Sequence, residues 1–274
     1  MIQLPITSDQ ALVLFSDLDG TLIDHHTYDT RASEGALRLL VGRSVPLVFC
    51  SSKTFAEQSY LQRQLGMRHP FIFENGSAVA IPDGFFPEKW YSTAHTKAGY
   101  DIVVFAHADA LNLGATLQQI GGLKGYKVAS DAELSAATGL SGDALIRARE
   151  RWFTETLLSP LAGEHLREVE NLLQAVGYSL SRGGRFFTVQ SARVNKGKAV
   201  LWMMELFRQN YAQSPVFAAI GDSPNDVPML EVVNVPFLVQ RPDQTWAEVE
   251  IPQIIRIDAI GPSGFDKTVK LLLE

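Results

Sequence analysis

Ala11-Leu12-Val13-Leu14-Phe15-Ser16-Asp17-Leu18-Asp19-Gly20-Thr21 is the stretch whose reading decides the fold. The apolar run from Ala11 to Phe15 has the length of a buried strand, and it stops at a polar turn that holds two carboxylates and a glycine. The segments that follow repeat this rhythm. Arg31 to Gly42 has a helical pattern, and Val45 to Cys50 is a second buried strand ending at Ser51-Ser52. Phe55, Leu61 and Leu65 mark a second helix closed by Gly66. Phe71 to Phe73 and Ser77 to Ile81 are predicted strands, joined by Glu74-Asn75-Gly76, whose Asn-Gly pair favours a tight hairpin turn. Strands alternating with helices predict an α/β fold, a doubly wound, mostly parallel, Rossmann-like sheet covered by helices.

Beyond Pro82-Asp83-Gly84 the texture changes. Helical stretches at Ala108 to Ile120, Asp131 to Thr138, Gly142 to Glu150 and Gly163 to Val176 surround two strand-like runs, Trp152 to Leu157 and Arg185 to Gln190. Residues 85–191 therefore read as an inserted α/β module, and residues 1–84 and 192–274 as the core. In the second core segment Lys196 to Arg208 and Asp226 to Val232 are predicted helices. Val216 to Ile220, Phe237 to Val239 and Ile254 to Ile257 are predicted strands, and Gly264 to Leu273 is a closing helix.

Composition narrows the function. A formal net charge of -6 argues against an extended nucleic-acid surface, which needs a basic face to release counterions from phosphates. The single cysteine, Cys50, rules out an intramolecular disulfide framework and reads as a packed strand thiol. Met1 to Pro5 lacks the basic, apolar pattern of a secretion signal and no later run is long enough to span a membrane, so a cytoplasmic location is expected. A small-molecule substrate is expected, with no nucleic-acid or membrane partner.

The chemistry lies where strands end. Asp17 and Asp19 offer one carboxylate as nucleophile and another as proton donor, although Asp-Leu-Asp-Gly taken alone also fits a plain turn. Gly221-Asp222-Ser223-Pro224-Asn225-Asp226 follows another buried strand. Strands of a parallel sheet end together, so Asp17, Asp19 and Asp222 are expected to converge. Oxygen-only ligands suit magnesium, whose charge would let a carboxylate approach a phosphate. Ser51 at a strand end is a candidate for holding phosphate oxygens and Lys196 at a helix start for stabilising negative charge around the nucleophile and the transferring group, against the ordinary roles of helix cap and solvated lysine.

Together, Asp17 to Thr21, Ser51, Lys196 and Gly221 to Asp226 resemble the four ordered motifs of haloacid dehalogenase superfamily phosphatases. The resemblance implies Asp17 as nucleophile and metal ligand, Asp19 as general acid/base whose backbone carbonyl also ligates, Asp222 as a further ligand and Asp226 as an acid behind them that completes the metal set, directly or through water. Mg2+ is the implied cofactor, and the insertion is the implied α/β cap that selects the substrate. More narrowly, Phe49 to Thr54 with Ala56-Glu57, Phe73-Glu74-Asn75-Gly76, Ser181-Arg182-Gly183-Gly184-Arg185 and the Asn225 loop resemble mannosyl-3-phosphoglycerate phosphatases. Glu74, Asn75 and Asn225 are then expected at the substrate. Lys53, Arg182 and Arg185 are candidate readers of its carboxylate, or else exposed charges around a glycine hairpin. Another sugar phosphatase, a phosphomannomutase-like enzyme and a catalytically idle metabolite-binding protein are the competing readings. His25-His26 and Glu248 with Glu250 are expected at the solvent, and Trp152 and Phe153 in the core of the insertion.

Overall fold

A computed structural model describes residues 10–106, 113–121 and 123–274. The expected helix start at Ala108 and the Met1 to Pro5 segment lie outside them. Strand β1 (Leu12–Ser16) leads through a 3-10 turn into α1 (Glu34–Gly42), then β2 (Leu47–Cys50), α2 (Phe55–Gln64), β3 (Phe71–Phe73) and β4 (Ala78–Pro82). Helix α2 starts at a capping box. Thr54 Oγ1 accepts from Glu57 N at 3.1 Å, and Glu57 Oε2 accepts from Thr54 N at 2.9 Å. The Glu74-Asn75-Gly76 turn has φ of 50°, 58° and 89°, left-handed throughout, and reverses the chain into an antiparallel β3–β4 pair, as the Asn-Gly signal requires.

The next two strands differ from the sequence reading. β5 (His95–Lys97) and β6 (Tyr100–Val104) fall within the expected insertion, yet they extend the core sheet through antiparallel β4–β6 and β5–β6 pairs. β6 escapes notice because its buried face includes Asp101, which is held by Lys89 Nζ at 2.8 Å and Tyr91 Oη at 3.0 Å. Separate from the core sheet stand α3 (Leu113–Gly121), α4 (Asp131–Thr138), α5 (Gly142–Arg149), β7 (Glu155–Thr156), α6 (Gly163–Ala175), β8 (Tyr178–Arg182) and β9 (Phe187–Ser191). They form a three-stranded antiparallel sheet, β7-β9-β8, with its own apolar cluster around Leu117, Leu157, Leu173 and Val189. Strand β8 is an addition to the expected pair.

The chain returns through α7 (Lys196–Asn210), β10 (Val216–Gly221), α8 (Val227–Leu230), β11 (Val235–Gln240), β12 (Ile255–Ile260) and α9 (Gly261–Leu273). The core sheet is ordered β12-β11-β10-β1-β2-β3-β4-β6-β5, parallel from β12 to β3. Alternation along β1 divides the core between two faces. Leu12 and Leu14 pack with α1 and α9, while Val13 and Phe15 pack with α7 and α8. Both faces are covered, which is why β1, β2 and β10 are uniformly apolar. Cys50 is buried as expected, and burial pushes its thiol pKa up. Glu248 and Glu250 are exposed, also as expected.

Trp152 and Phe153 join the main core instead of the inserted one. Trp152 stacks on Phe55 at 5.5 Å between ring centroids, and Phe153 lies 6.1 Å from Phe73. Among the described residues, no helix is long and apolar enough to cross a membrane.

Candidate active site

From β1 the chain goes to β2 on one side, and β10 returns on the other. The order therefore reverses between β1 and β10, and open α/β sheets bind ligands beyond the strand ends at such a point. Register does the rest. Ser16 lies opposite Ile220, Asp17 N donates to Ile220 O at 3.0 Å, and Asp222 follows one residue beyond β10. Gly20 completes the approach. Its φ is 81°, and a Cβ there would lie 2.8 Å from Asp222 Oδ2.

Lys196 bridges the cluster. Its Nζ is 2.6 Å from Asp17 Oδ1 and 2.7 Å from Asp226 Oδ1, and the residue is 1% exposed. The ammonium arrives there because Asn195 caps α7, accepting from Lys198 N at 2.9 Å, and because Gly76 lets the loop before α7 sit against it. A Cβ on Gly76 would come within 2.2 Å of Asn195 O. Asp226 Oδ2 accepts from Asp222 N and Ser223 N, both at 3.1 Å, and from Ser223 Oγ at 3.2 Å. It thereby shapes the loop that carries Asp222.

Carboxylate oxygens of Asp17, Asp222 and Asp226 lie within 4.8 Å of one another, and all three residues are buried. One ammonium against three carboxylates leaves net negative charge in a low-dielectric site. Burial pushes Asp17 up to about 7, against the pull of Lys196, and burial with the Asp226 charge holds Asp222 well above the usual carboxylate range. Burial opposes the charge on Lys196 as well, but Asp17 and Asp226 outweigh it and raise its pKa. An all-oxygen set short of positive charge fits a divalent cation. Asp17 and Asp222 are the ligands best placed for one, since both oxygens of Asp226 already carry hydrogen bonds.

Outward from Asp17 the strand ends and the inserted module enclose a polar cavity of about 90 Å³, lined by Asp19, Tyr28, Lys53, Arg151 and Arg185 among others. Lys53 Nζ sits 3.1 Å from Asp19 Oδ1 and 3.4 Å from Glu57 Oε1. Burial works against its charge, but Asp19 and Glu57 prevail and raise its pKa.

The chain matches the haloacid dehalogenase-like hydrolase family over residues 14–96 and 160–246, two blocks that carry every residue of the buried cluster. It belongs to that family. The aspartate cluster of this haloacid dehalogenase-like hydrolase makes it an enzyme of phosphatase type. A glucosyl-3-phosphoglycerate/mannosyl-3-phosphoglycerate phosphatase from Methanococcoides burtonii is 34% identical over 267 residues, 95% of this chain and 97% of that one. Its namesake from Persephonella marina is 29% identical over 96% of this chain and 97% of its own. The fold is shared with a Synechocystis sucrose-phosphatase, TM-score 0.61 at 19% identity, covering 96% of this chain and 98% of that one. A Thermoplasma acidophilum protein shares it at TM-score 0.67 and 15% identity, covering 96% and 98%.

Within this hydrolase the sequence-predicted residues are not all placed alike. Asp17, Asp19, Lys53, Arg185 and Asn225 line the cavity. Ser51 is buried beside it, its Oγ accepting from Lys53 N at 3.3 Å. Arg182 and Asn75 open instead onto a neighbouring chamber that Asn225 shares. Glu74, expected at the substrate, is fully buried and its carboxylate is occupied. Oε1 accepts from Trp152 N at 2.7 Å, and Oε2 from Phe153 N, Thr154 N and Thr154 Oγ1 at 2.8–2.9 Å. Its job is to fasten the segment before β7 to the core. Glu74→Ala would strand three backbone donors, so a stability loss of at least about 3 kcal/mol is expected in urea denaturation. A loss below about 1 kcal/mol would contradict that role.

His25, expected at the solvent with His26, is half-buried in the cavity wall, while His26 is exposed. Burial, then the Arg185 charge, lowers its pKa and keeps the ring neutral near pH 7. Arg151 escaped the sequence reading. Its guanidinium is buried, donating from Nη1 and Nη2 to Ser52 O at 3.1 and 2.9 Å and from Nε to Thr156 Oγ1 at 3.2 Å. In Arg149-Glu150-Arg151 it reads as one more surface charge, and only the docking of the module reveals it.

Proposed function

We propose that this protein is a magnesium-dependent phosphomonoesterase that acts through an aspartyl-phosphate on Asp17, with mannosyl-3-phosphoglycerate as substrate and mannosylglycerate and phosphate as products. The observation that carries the chemistry is Asp17, buried at the switch point, in contact with Lys196 and facing Asp222. The substrate rests on the named relatives and on the cations of the cavity.

Magnesium held by Asp17 and Asp222, with the Asp19 carbonyl beside them, would supply the positive charge that lets one anion approach another. An Asp17 carboxylate oxygen attacks phosphorus as the ester P–O bond breaks, and the departing oxygen takes a proton from Asp19. Water then attacks the same phosphorus and gives its proton to Asp19. Phosphate leaves and the Asp17 carboxylate is restored. Lys196 balances the charge around the nucleophile throughout, and the Ser51 hydroxyl, one residue beyond the end of β2, is the candidate donor to a phosphate oxygen. Lys53 holds Asp19 as an ion pair, so an arriving substrate anion that attracts Lys53 also frees Asp19 to exchange protons. Arg185 is the candidate fork for the glycerate carboxylate.

Phosphate release from mannosyl-3-phosphoglycerate, glucosyl-3-phosphoglycerate and hexose phosphates, each with and without magnesium, tests the assignment. The glycosylated glycerate phosphates are expected to have the highest kcat/KM, and chelation is expected to silence every substrate reversibly. A marked preference for a hexose phosphate would reject the substrate, and full turnover in excess chelator would reject the metal.

A further inference from the structure

Resting on the phosphomonoesterase reading above, we infer that Arg151 is a positioning residue for the transferring phosphate. It reaches from the inserted module into the core, holds the loop Ser51-Ser52-Lys53 by its middle carbonyl and so sets the Ser51 hydroxyl. Two carbonyls of that loop are held by the core itself. Ser51 O accepts from Asn75 N at 3.0 Å, and Lys53 O accepts from Glu74 N at 3.0 Å and from Gln58 Nε2 at 3.1 Å. The third, Ser52 O, takes Arg151 Nη1 and Nη2 at 3.1 and 2.9 Å.

Such a fork fixes more than a single bond would. Two donors from one planar, charged group hold both the place and the direction of the oxygen they share. The flanking residues carry the consequence. Ser51 Oγ accepts from Lys53 N at 3.3 Å, across the residue whose carbonyl Arg151 grips, and Lys53 in turn pairs with Asp19 and Glu57. The Arg151 charge reaches the same group of side chains. Burial works against the charge of Glu57, but Lys53 and then Arg151 outweigh it and lower its pKa.

The guanidinium is preorganised for this task. It is buried, its Nε donates to Thr156 Oγ1 at 3.2 Å, its Nη1 to Thr154 Oγ1 at 3.3 Å, and its Cζ lies 5.7 Å from the centre of the Tyr126 ring. With the two bonds to Ser52 O, four of its five N–H donors are taken inside the protein, so its effect on a bound phosphate runs through the loop. The chain on either side of Arg151 is anchored to the core. Thr54 Oγ1 donates to Arg147 O at 2.8 Å, and Glu74 gathers the amides of residues 152–154. The module therefore completes the phosphate end of the site as it docks.

Three quantities test this in the intact protein with magnesium, for wild type, Arg151→Met and Arg151→Lys. They are kcat and KM on mannosyl-3-phosphoglycerate, the same on p-nitrophenyl phosphate, and the Kd of inorganic phosphate by calorimetry. Arg151→Met is expected to lose kcat/KM on both substrates by the same factor, on the order of tenfold or more, and to bind phosphate correspondingly more weakly. Arg151→Lys, whose ammonium can donate to Ser52 O but not as a fork, is expected to fall between that variant and wild type. A loss confined to mannosyl-3-phosphoglycerate would make Arg151 a direct contact of the rest of the substrate, and a phosphate Kd equal to wild type would leave it a purely structural tether. Either result overturns the inference. Should Arg151→Met not fold, the same comparison is made in Arg151→Lys. A wild type inactive on both substrates would sink the phosphomonoesterase reading, while the phosphate Kd still decides on Arg151.

Discussion

Asp17→Asn is expected to lower phosphate release at least about a thousandfold while the protein stays folded. The amide keeps the shape of the side chain but is no nucleophile. It also removes one of three carboxylates that crowd within 4.8 Å, so relief of like-charge repulsion offsets part of the lost contact with Lys196. Burial already drives Asp17 toward its neutral form in the absence of a metal, and the neutral amide is accommodated by the same surroundings. Loss of activity with an unchanged circular-dichroism spectrum and a thermal midpoint within a few degrees is the expected pattern. Retention of more than a tenth of the activity would remove Asp17 from the nucleophile's role.

Lys196→Met carries the second large effect, and it acts on stability and activity together. The thioether can follow the path of the lysine stem, but it leaves Asp17 and Asp226 facing each other without the ammonium that lies 2.6 and 2.7 Å from them. Removing one member of a buried ion cluster typically costs about 3–5 kcal/mol, because the remaining charges keep their desolvation and lose their partner. Loss of a charge-stabilising group at the transferring phosphate is expected to lower kcat by a further 10²–10³, the order seen for removed oxyanion donors. Urea denaturation and steady-state kinetics read the two effects separately. Added magnesium should return part of the stability, since a cation bound only to the folded state stabilises it by mass action. A variant as stable as wild type would show that the cluster does not depend on this ammonium.

These effects were foreseeable because Asp17, Asp222 and Lys196 stand at the ends of strongly patterned elements. An uninterrupted apolar run fixes a buried strand, the parallel sheet aligns the strand ends, and the carboxylates that follow have one place to go. Residues on weakly patterned segments were harder to read. β5 exposes His95 and Thr96 on an edge, so its alternation is faint and in the sequence it reads with β6 as part of the insertion. Glu74 sits in a legible turn, but nothing in the turn says that its carboxylate faces the amides of residues 152–154. Arg151 and His25 acquire their places only when the inserted module docks on the core, through contacts such as Arg151 to Ser52 O. Local spacing carries strand, helix and turn, whereas the partner of a side chain across two packed units is a tertiary fact.

The central claim is that the phosphoryl group passes through Asp17. Rapid acid quench during turnover of mannosyl-3-phosphoglycerate, followed by borohydride reduction and peptide mass analysis, reads this directly. An acyl phosphate at Asp17 is reduced to homoserine, whereas a free carboxylate is untouched. Conversion at residue 17 alone, absent from Asp17→Asn and from enzyme quenched before substrate, is the expected result. Conversion at Asp19 or Asp222 instead, or phosphate released in the same quenched samples with no residue modified, would contradict the account.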